Sequence, residues 1–323
     1  MGVVIPVGRR EFLGQALAAG AVAAQPRPIP VLDTHIHLFD PTRPQGVPWP
    51  SKNNTILYKP AVPSRYREVI RGLGVTGAIE TECSPWLEDN QWVLDACEKD
   101  TIMVGTVGNL EPGKPEFRQH LERFHRNPLF RGIRYGNLWR RDLTAALGRP
   151  EFVADLKFMA QAGLSLDTAD PTVRLLQDVV HLTDLVPTLR VIFDHLPTLP
   201  TPTEAEALLN YKTAMRELGK RPQVYVKVSQ VVQRVGGRVP LELSVYRAKL
   251  DEIFETYGPD RLLYASDWPN SDQWAPYPQV LALVQEYFLA KGREIAEKYF
   301  WKNSVAAYRW VRRAPSQPDP ATV

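Results

Sequence analysis

Cysteine is scarce in this 323-residue chain. Two residues, Cys83 and Cys97, cannot build a disulfide-stapled scaffold, and their spacing fits no redox or zinc motif; ordinary burial is expected for both. Basic runs are missing too. The 39 lysines and arginines are scattered against 36 acidic residues, and a net charge of +3 leaves no footprint for nucleic acid or a membrane surface. No apolar run reaches the roughly 20 residues that cross a hydrocarbon core. The 20 glycines and 29 prolines follow no fixed period, which excludes a collagen-like chain, and an apolar share of 44% excludes disorder. What remains is a globular protein whose expected partner is a small molecule.

The first residues read as an address. Arg9-Arg10-Glu11-Phe12-Leu13-Gly14 sets two arginines ahead of an Ala-rich apolar run that ends near Ala21-Val22-Ala23, a pattern that resembles a twin-arginine export signal. The expectation is therefore an exported, periplasmic protein in three parts: residues 1–24 as signal, 25–313 as one folded domain and 314–323 as a loose tail.

Beyond that point, eight short apolar or β-branched runs recur: Val31–Leu38, Val75–Thr81, Ile102–Leu110, Phe130–Tyr135, Gly163–Thr168, Leu189–His195, Gln223–Ser229 and Arg261–Asp267. Stretches of helical period separate them, among them 64–73, 89–99, 115–126, 151–162, 172–185, 204–218 and 241–257, with 278–289 and 293–308 after the last run. A repeat of roughly 33 residues is one β-α unit of a parallel sheet. Eight such units, with no Gly-rich phosphate loop after the first strand, predict closure into a single (β/α)8 TIM barrel. The Pro-rich connection 39–63, which carries Trp49, Lys52 and Tyr58, then falls on the C-terminal face as a wall or lid of the site.

In such a barrel, polar groups at strand ends share one cavity. The first run holds Asp33-Thr34-His35-Ile36-His37. Residues two apart on a strand face the same way, so His35 and His37, two of only six histidines, can share one ion or one substrate oxygen. The sixth run ends in Asp194-His195, and the eighth ends in Ser266-Asp267-Trp268-Pro269, a carboxylate leaving an apolar strand.

In that order and spacing, Asp33-x-His35-x-His37, Asp194-His195 and Ser266-Asp267-Trp268-Pro269 resemble the amidohydrolase superfamily, in its amidohydrolase-related branch of lactonases and decarboxylases. Supporting fragments are Gly132-Ile133-Arg134, Val226-Lys227-Val228-Ser229 and Asp89-Asn90. The resemblance implies a hydrolase that opens a small cyclic ester, a sugar or dicarboxylate lactone. A metal-dependent decarboxylase on the same barrel is the alternative, and a non-catalytic periplasmic binding protein is a third reading. Metal-dependent members carry a histidine on the fifth strand or a bridging Lys or Glu on the fourth; here the fifth reads Leu164-Ser165-Leu166-Asp167-Thr168 and the fourth offers Arg134, which argues against two metals. Either one divalent ion, Zn²⁺ or Mn²⁺, is held by His35, His37 and Asp267 with His195 nearby, or the site is metal-free and the three histidines donate hydrogen bonds. Asp267 is the expected base and His195 the second catalytic residue. Arg134 and Lys227 are expected to anchor a carboxylate or hydroxyls, Glu80 to orient a histidine or meet substrate, and Trp49, Trp139 and Trp268 to stack on a ring.

Overall fold

A computed structural model describes residues 1–3 and 28–323; the export-signal reading falls on residues outside these. Eight strands pair in parallel, each with the next in sequence: β1 (Val31–Ile36), β2 (Val75–Thr81), β3 (Met103–Gly108), β4 (Phe130–Arg134), β5 (Ser165–Thr168), β6 (Arg190–Phe193), β7 (Val224–Val228) and β8 (Leu262–Tyr264). The ring closes just beyond β8, where Asp267 N donates to His35 O (2.9 Å) and His37 N to Trp268 O (2.7 Å). The architecture is the single-domain (β/α)8 barrel.

Helices α1 (Pro63–Val69), α2 (Asp89–Glu98), α3 (Phe117–His125), α4 (Leu143–Leu147), α5 (Pro150–Gln161), α6 (Val173–Leu185), α7 (Ala205–Gly219), α8 (Leu243–Tyr257) and α9 (Tyr277–Ala290) follow the strands in turn. The stretch expected as one helix over 293–308 is α10 (Arg293–Glu297) and α11 (Asn303–Tyr308), joined by a π-turn at Lys298–Lys302. No helix among the described residues is long and apolar enough to cross a membrane.

Strand alternation sorts the apolar side chains into two clusters. Leu32, Ile79, Val104, Ile192 and Leu263 fill the barrel interior above Trp301 and Tyr308, while the neighbouring Val31, Ala78, Met103, Val191 and Leu262 meet the helices. Cys83 and Cys97 are buried and unpaired, as free thiols. The segment expected to be loose from Ala314 onward is instead pinned at its start. Arg313 Nη1 donates to the carbonyls of Cys97, Asp100 and Met103, and buried Gln317 donates to Thr101 O and accepts from the amides of Arg313 and Ala314. Those carbonyls lie where α2 gives way to β3.

The strands approach closely at Gly132 on β4, where a Cβ would overlap the hydroxyl and carbonyl of Ser165 on β5. Gly132→Ala is expected to cost about 3 kcal/mol through overpacking, read as a lower urea midpoint at unchanged slope.

Candidate active site

The barrel mouth collects the ends of its strands. β1 carries His35 and His37 to the cavity, but Asp33, of the same alternation, serves elsewhere. Asp33 Oδ1 accepts the amides of His35 (3.2 Å) and Ser266 (2.9 Å), while Oδ2 accepts the Tyr66 and Tyr277 hydroxyls (2.9 Å each). It clamps the first strand to the last.

Each histidine is oriented through its Nδ1. His37 Nδ1 lies 2.7 Å from Thr81 O, a carbonyl that can only accept, so this nitrogen carries the proton. His195 Nδ1 lies 2.7 Å from Ser229 Oγ. His35 Nδ1 stands 3.2 Å from Lys227 Nζ and 3.3 Å from Asp194 Oδ1. The ammonium has three protons and three closer acceptors, Asp167 Oδ2 (2.6 Å), Asp194 Oδ1 (2.9 Å) and Thr81 Oγ1 (3.1 Å). His35 Nδ1 is thus held between the Lys227 ammonium and the Asp194 carboxylate.

The Nε2 atoms converge on Asp267. His35 Nε2 and His37 Nε2 are 3.3 Å apart, and Asp267 Oδ1 lies 3.1 Å from His37 Nε2, 3.5 Å from His35 Nε2 and 3.8 Å from His195 Nε2. The other carboxylate oxygen, Oδ2, accepts the side-chain amides of Gln230 and Asn270 at 2.7 Å each, whereas Oδ1 has no hydrogen-bond donor among the described residues. Burial, reinforced by the charge of Lys227, holds His35 well below the usual imidazole value, and burial lowers His195 against the pull of Asp267. Burial would raise the Asp267 carboxyl, but the imidazoles around it, His195 foremost, keep it below its usual value. With its proton on Nδ1, His37 faces Asp267 Oδ1 through the Nε2 lone pair at 3.1 Å. A cation between the two removes their repulsion, and the N₃O donor set suits a divalent ion such as Zn²⁺. His35, His195 and Asp267 offer ligand atoms all within 4.8 Å of one another.

Beneath this floor lies a buried ion network. Asp194 Oδ2 meets Arg134 Nε at 2.8 Å and Oδ1 meets Lys227, so these two cations overrule burial and keep Asp194 well below its usual range. Asp167 accepts from Lys227 and from the Tyr308 hydroxyl (2.6 Å), yet burial raises it to about 6.

Above the floor a cavity of about 250 Å³ is lined by Trp49, Arg134, Trp139, Asp170, Gln230 and Asn270 together with His37, His195 and Asp267. Of the seven non-glycine residues with positive φ among those described, five line it: Trp139, Asp170, His195, Gln230 and Asp267. Left-handed backbone is a cost that sites tend to bear, and here it turns side chains over the barrel mouth.

Of the residues expected from sequence, His35, His37, His195 and Asp267 come together, and Arg134 and Trp49 stand in the wall. Trp139 also stands there, its Nε1 donating to the Glu82 carboxylate at 3.1 Å. Three others are placed elsewhere. Lys227 is fully enclosed under the histidines, with every proton committed, so it supports them and anchors no substrate. Glu80 faces outward from β2 into a separate small cavity with Glu82, Asp89 and Asn90; it makes no hydrogen bond to a histidine, and burial beside Glu82 raises its carboxyl well above the usual range. Trp268 is buried against Tyr66 under the Arg65 guanidinium, off the cavity wall. Sequence reasoning gave no role to Ser229, Gln230, Asn270 or Asp170. A signal existed for the first three, which sit within three residues of Lys227 or Asp267 in the chain.

The sequence model of the family described as Amidohydrolase matches residues 32–310. The L-fucono-1,5-lactonase of Burkholderia ambifaria is 24% identical over 246 residues, spanning 74% of this chain and 80% of that protein. The L-fucono-1,5-lactonase of Burkholderia multivorans is 22% identical over 296 residues, 90% of this chain and 97% of that one. A crystal structure of an amidohydrolase from Burkholderia multivorans with bound Zn superposes with a TM-score of 0.75 at 20% identity, covering 87% of this chain and 100% of that one.

Proposed function

Because the chain belongs to the amidohydrolase family, we propose that this hydrolase opens a small cyclic ester, a sugar or dicarboxylate lactone, with Asp267 as the base. The observation that carries the reading is the free Oδ1 of Asp267 on the cavity floor, ringed by three imidazole nitrogens. The lactonase names of two relatives support the substrate class.

A divalent ion, which His35, His37, His195 and Asp267 would hold, supplies Lewis acidity when bound, polarising an ester carbonyl and making a water acidic near pH 7. The chain's own groups do the rest. Gln230 and Asn270 occupy Asp267 Oδ2 and fix the plane of the carboxylate, so Oδ1 is the oxygen that takes a proton from the attacking water. The water oxygen becomes part of the new carboxylate. As the acyl–oxygen bond breaks, Asp267 returns the proton to the ring oxygen, which leaves as a hydroxyl. Thr81 O, Ser229 Oγ and Asp194 keep the imidazoles aimed throughout. Trp49 and Trp139 wall the cavity and offer faces to a ring.

A pH-indicator screen of the native enzyme against sugar and dicarboxylate lactones tests the reading. Acid release is the expected result, and no turnover of any lactone overturns it.

Arg134 provides a narrower check. Its Nε is held by Asp194 and its Nη1 donates to Glu82 O (3.2 Å), and the guanidinium stands in the cavity wall. Arg134→Lys is expected to raise KM about tenfold with a smaller change in kcat, because an ammonium cannot serve Asp194 and substrate in one plane. Steady-state kinetics on the best lactone of the screen decide it.

A further inference from the structure

Strands β5 to β8 share a device. Two residues after β5, β6 and β7, and three after β8, the chain takes up left-handed backbone and places one side chain in the cavity wall: Asp170 (φ 51), His195 (φ 55), Gln230 (φ 50) and Asp267 (φ 61). His195 and Asp267 belong to the converging set, and Gln230 orients Asp267. Asp170 alone has no role so far. Its backbone carbonyl accepts from Asn137 Nδ2 (3.0 Å), which holds the turn, but its carboxylate makes no hydrogen bond or ion pair among the described residues. It stands at the end of β5, across the barrel from β1 and its histidines.

We propose that Asp170 is the specificity-determining residue of this cavity, accepting hydrogen bonds from hydroxyl groups at the end of a neutral polyhydroxy lactone remote from its ester. The inference rests on the lactone reading above and narrows it from two substrate classes to one. The charge of the wall supports it. Asp170 and Asp267 are both acidic, and among the described lining residues the one Lys or Arg, Arg134, is already paired with Asp194. A second carboxylate on the substrate would meet two like charges against a single guanidinium whose charge Asp194 already balances, which is how a site rejects a close analogue. Hydroxyls instead give an exposed carboxylate the donors it lacks, and a site built to hydrogen-bond an OH discriminates strongly against the analogue without it.

The experiment compares kcat/KM for three lactones of one ring size: polyhydroxylated, deoxygenated away from the ester, and carboxylated at that position. The native enzyme is expected to favour the hydroxylated lactone over both others by at least tenfold. Asp170→Ala is expected to cut the hydroxylated-to-deoxy ratio about tenfold or more, Asp170→Asn to restore part of it through its remaining acceptor oxygen, and Asp170→Lys to raise the carboxylated-to-hydroxylated ratio. Ratios unmoved by all three variants overturn the proposal, as does a native preference for the carboxylated lactone. Calorimetric binding of the hydroxylated lactone to Asp267→Asn, with and without Asp170→Ala, separates the two readings. Binding weakened by loss of Asp170 sustains the Asp170 assignment even where the turnover screen is negative, and equal binding overturns it.

Discussion

Asp267→Asn is expected to lower kcat/KM for a lactone by roughly 10²–10⁴-fold, the usual worth of a positioned base. The substitution is mild in shape. The amide keeps a carbonyl oxygen that can accept from Gln230 or Asn270, so the fold is expected to survive and the far-UV spectrum to match the native one. What is lost is the second anionic oxygen, the one with three imidazole nitrogens around it and no donor among the described residues. Metal analysis of both preparations shows whether that oxygen also serves as a ligand, because an amide is a poorer partner for a divalent ion than a carboxylate. Native turnover in this variant would remove Asp267 from the reaction.

Lys227→Met is expected to have the largest effect on stability. The ammonium is fully buried between Asp167 and Asp194, at 2.6 and 2.9 Å, and its removal leaves Asp167 without a cation and Asp194 with Arg134 alone. Breaking a buried pair from one side costs about 3–5 kcal/mol, well above the value of an exposed pair. The effect has a definite pH sign. In the native chain Asp194 is held below its unfolded value, so its contribution is full above the unfolded value and is lost as pH falls from there through the lowered native one. In the variant the carboxyls shift upward. The deficit is therefore greatest near neutral pH and shrinks towards pH 4, where protonation relieves the stranded charge. Urea midpoints at several pH values read this directly. Adding Asp167→Asn to Lys227→Met is expected to recover about 1–3 kcal/mol, because the two groups interact directly; full additivity would show that they do not.

The two predictions draw on different parts of what the sequence offered. Asp267 was legible because a carboxylate at the end of an apolar strand is conspicuous and a barrel gives strand ends one shared destination. The role of Lys227 was not. Its position in Val226-Lys227-Val228 places it on the inner face of β7, but the depth of the barrel decides that it meets Asp167, Asp194 and His35 before it can meet a substrate. Glu80 shows the same limit on β2. Its neighbour Ile79 packs inside the barrel and Thr81 reaches Lys227 there, so alternation sends Glu80 outward to face α2. Which parity was inward became known only once eight strands had closed.

The first strand gives the clearest case. Asp33, His35 and His37 have one alternation, and an ideal strand would aim all three at one place. The pairing of β1 with β2 shifts register between Asp33 and Ile36, so Asp33 turns to Tyr66 and Tyr277 while His35 and His37 turn to the cavity. By itself the sequence determined the eight-unit barrel, the polar strand ends that meet at one cavity and the set His35, His37, His195 and Asp267, because periodicity and the order of polar residues are local properties of a chain. Tertiary structure alone decided which nitrogen of each histidine faces the cavity, that Lys227 and Asp194 lie under it, that Glu80 and Trp268 lie outside it, and that Asp170 stands in its wall. Those outcomes depend on register, closure and left-handed turns, which bring together residues far apart in sequence and leave no periodic trace in it.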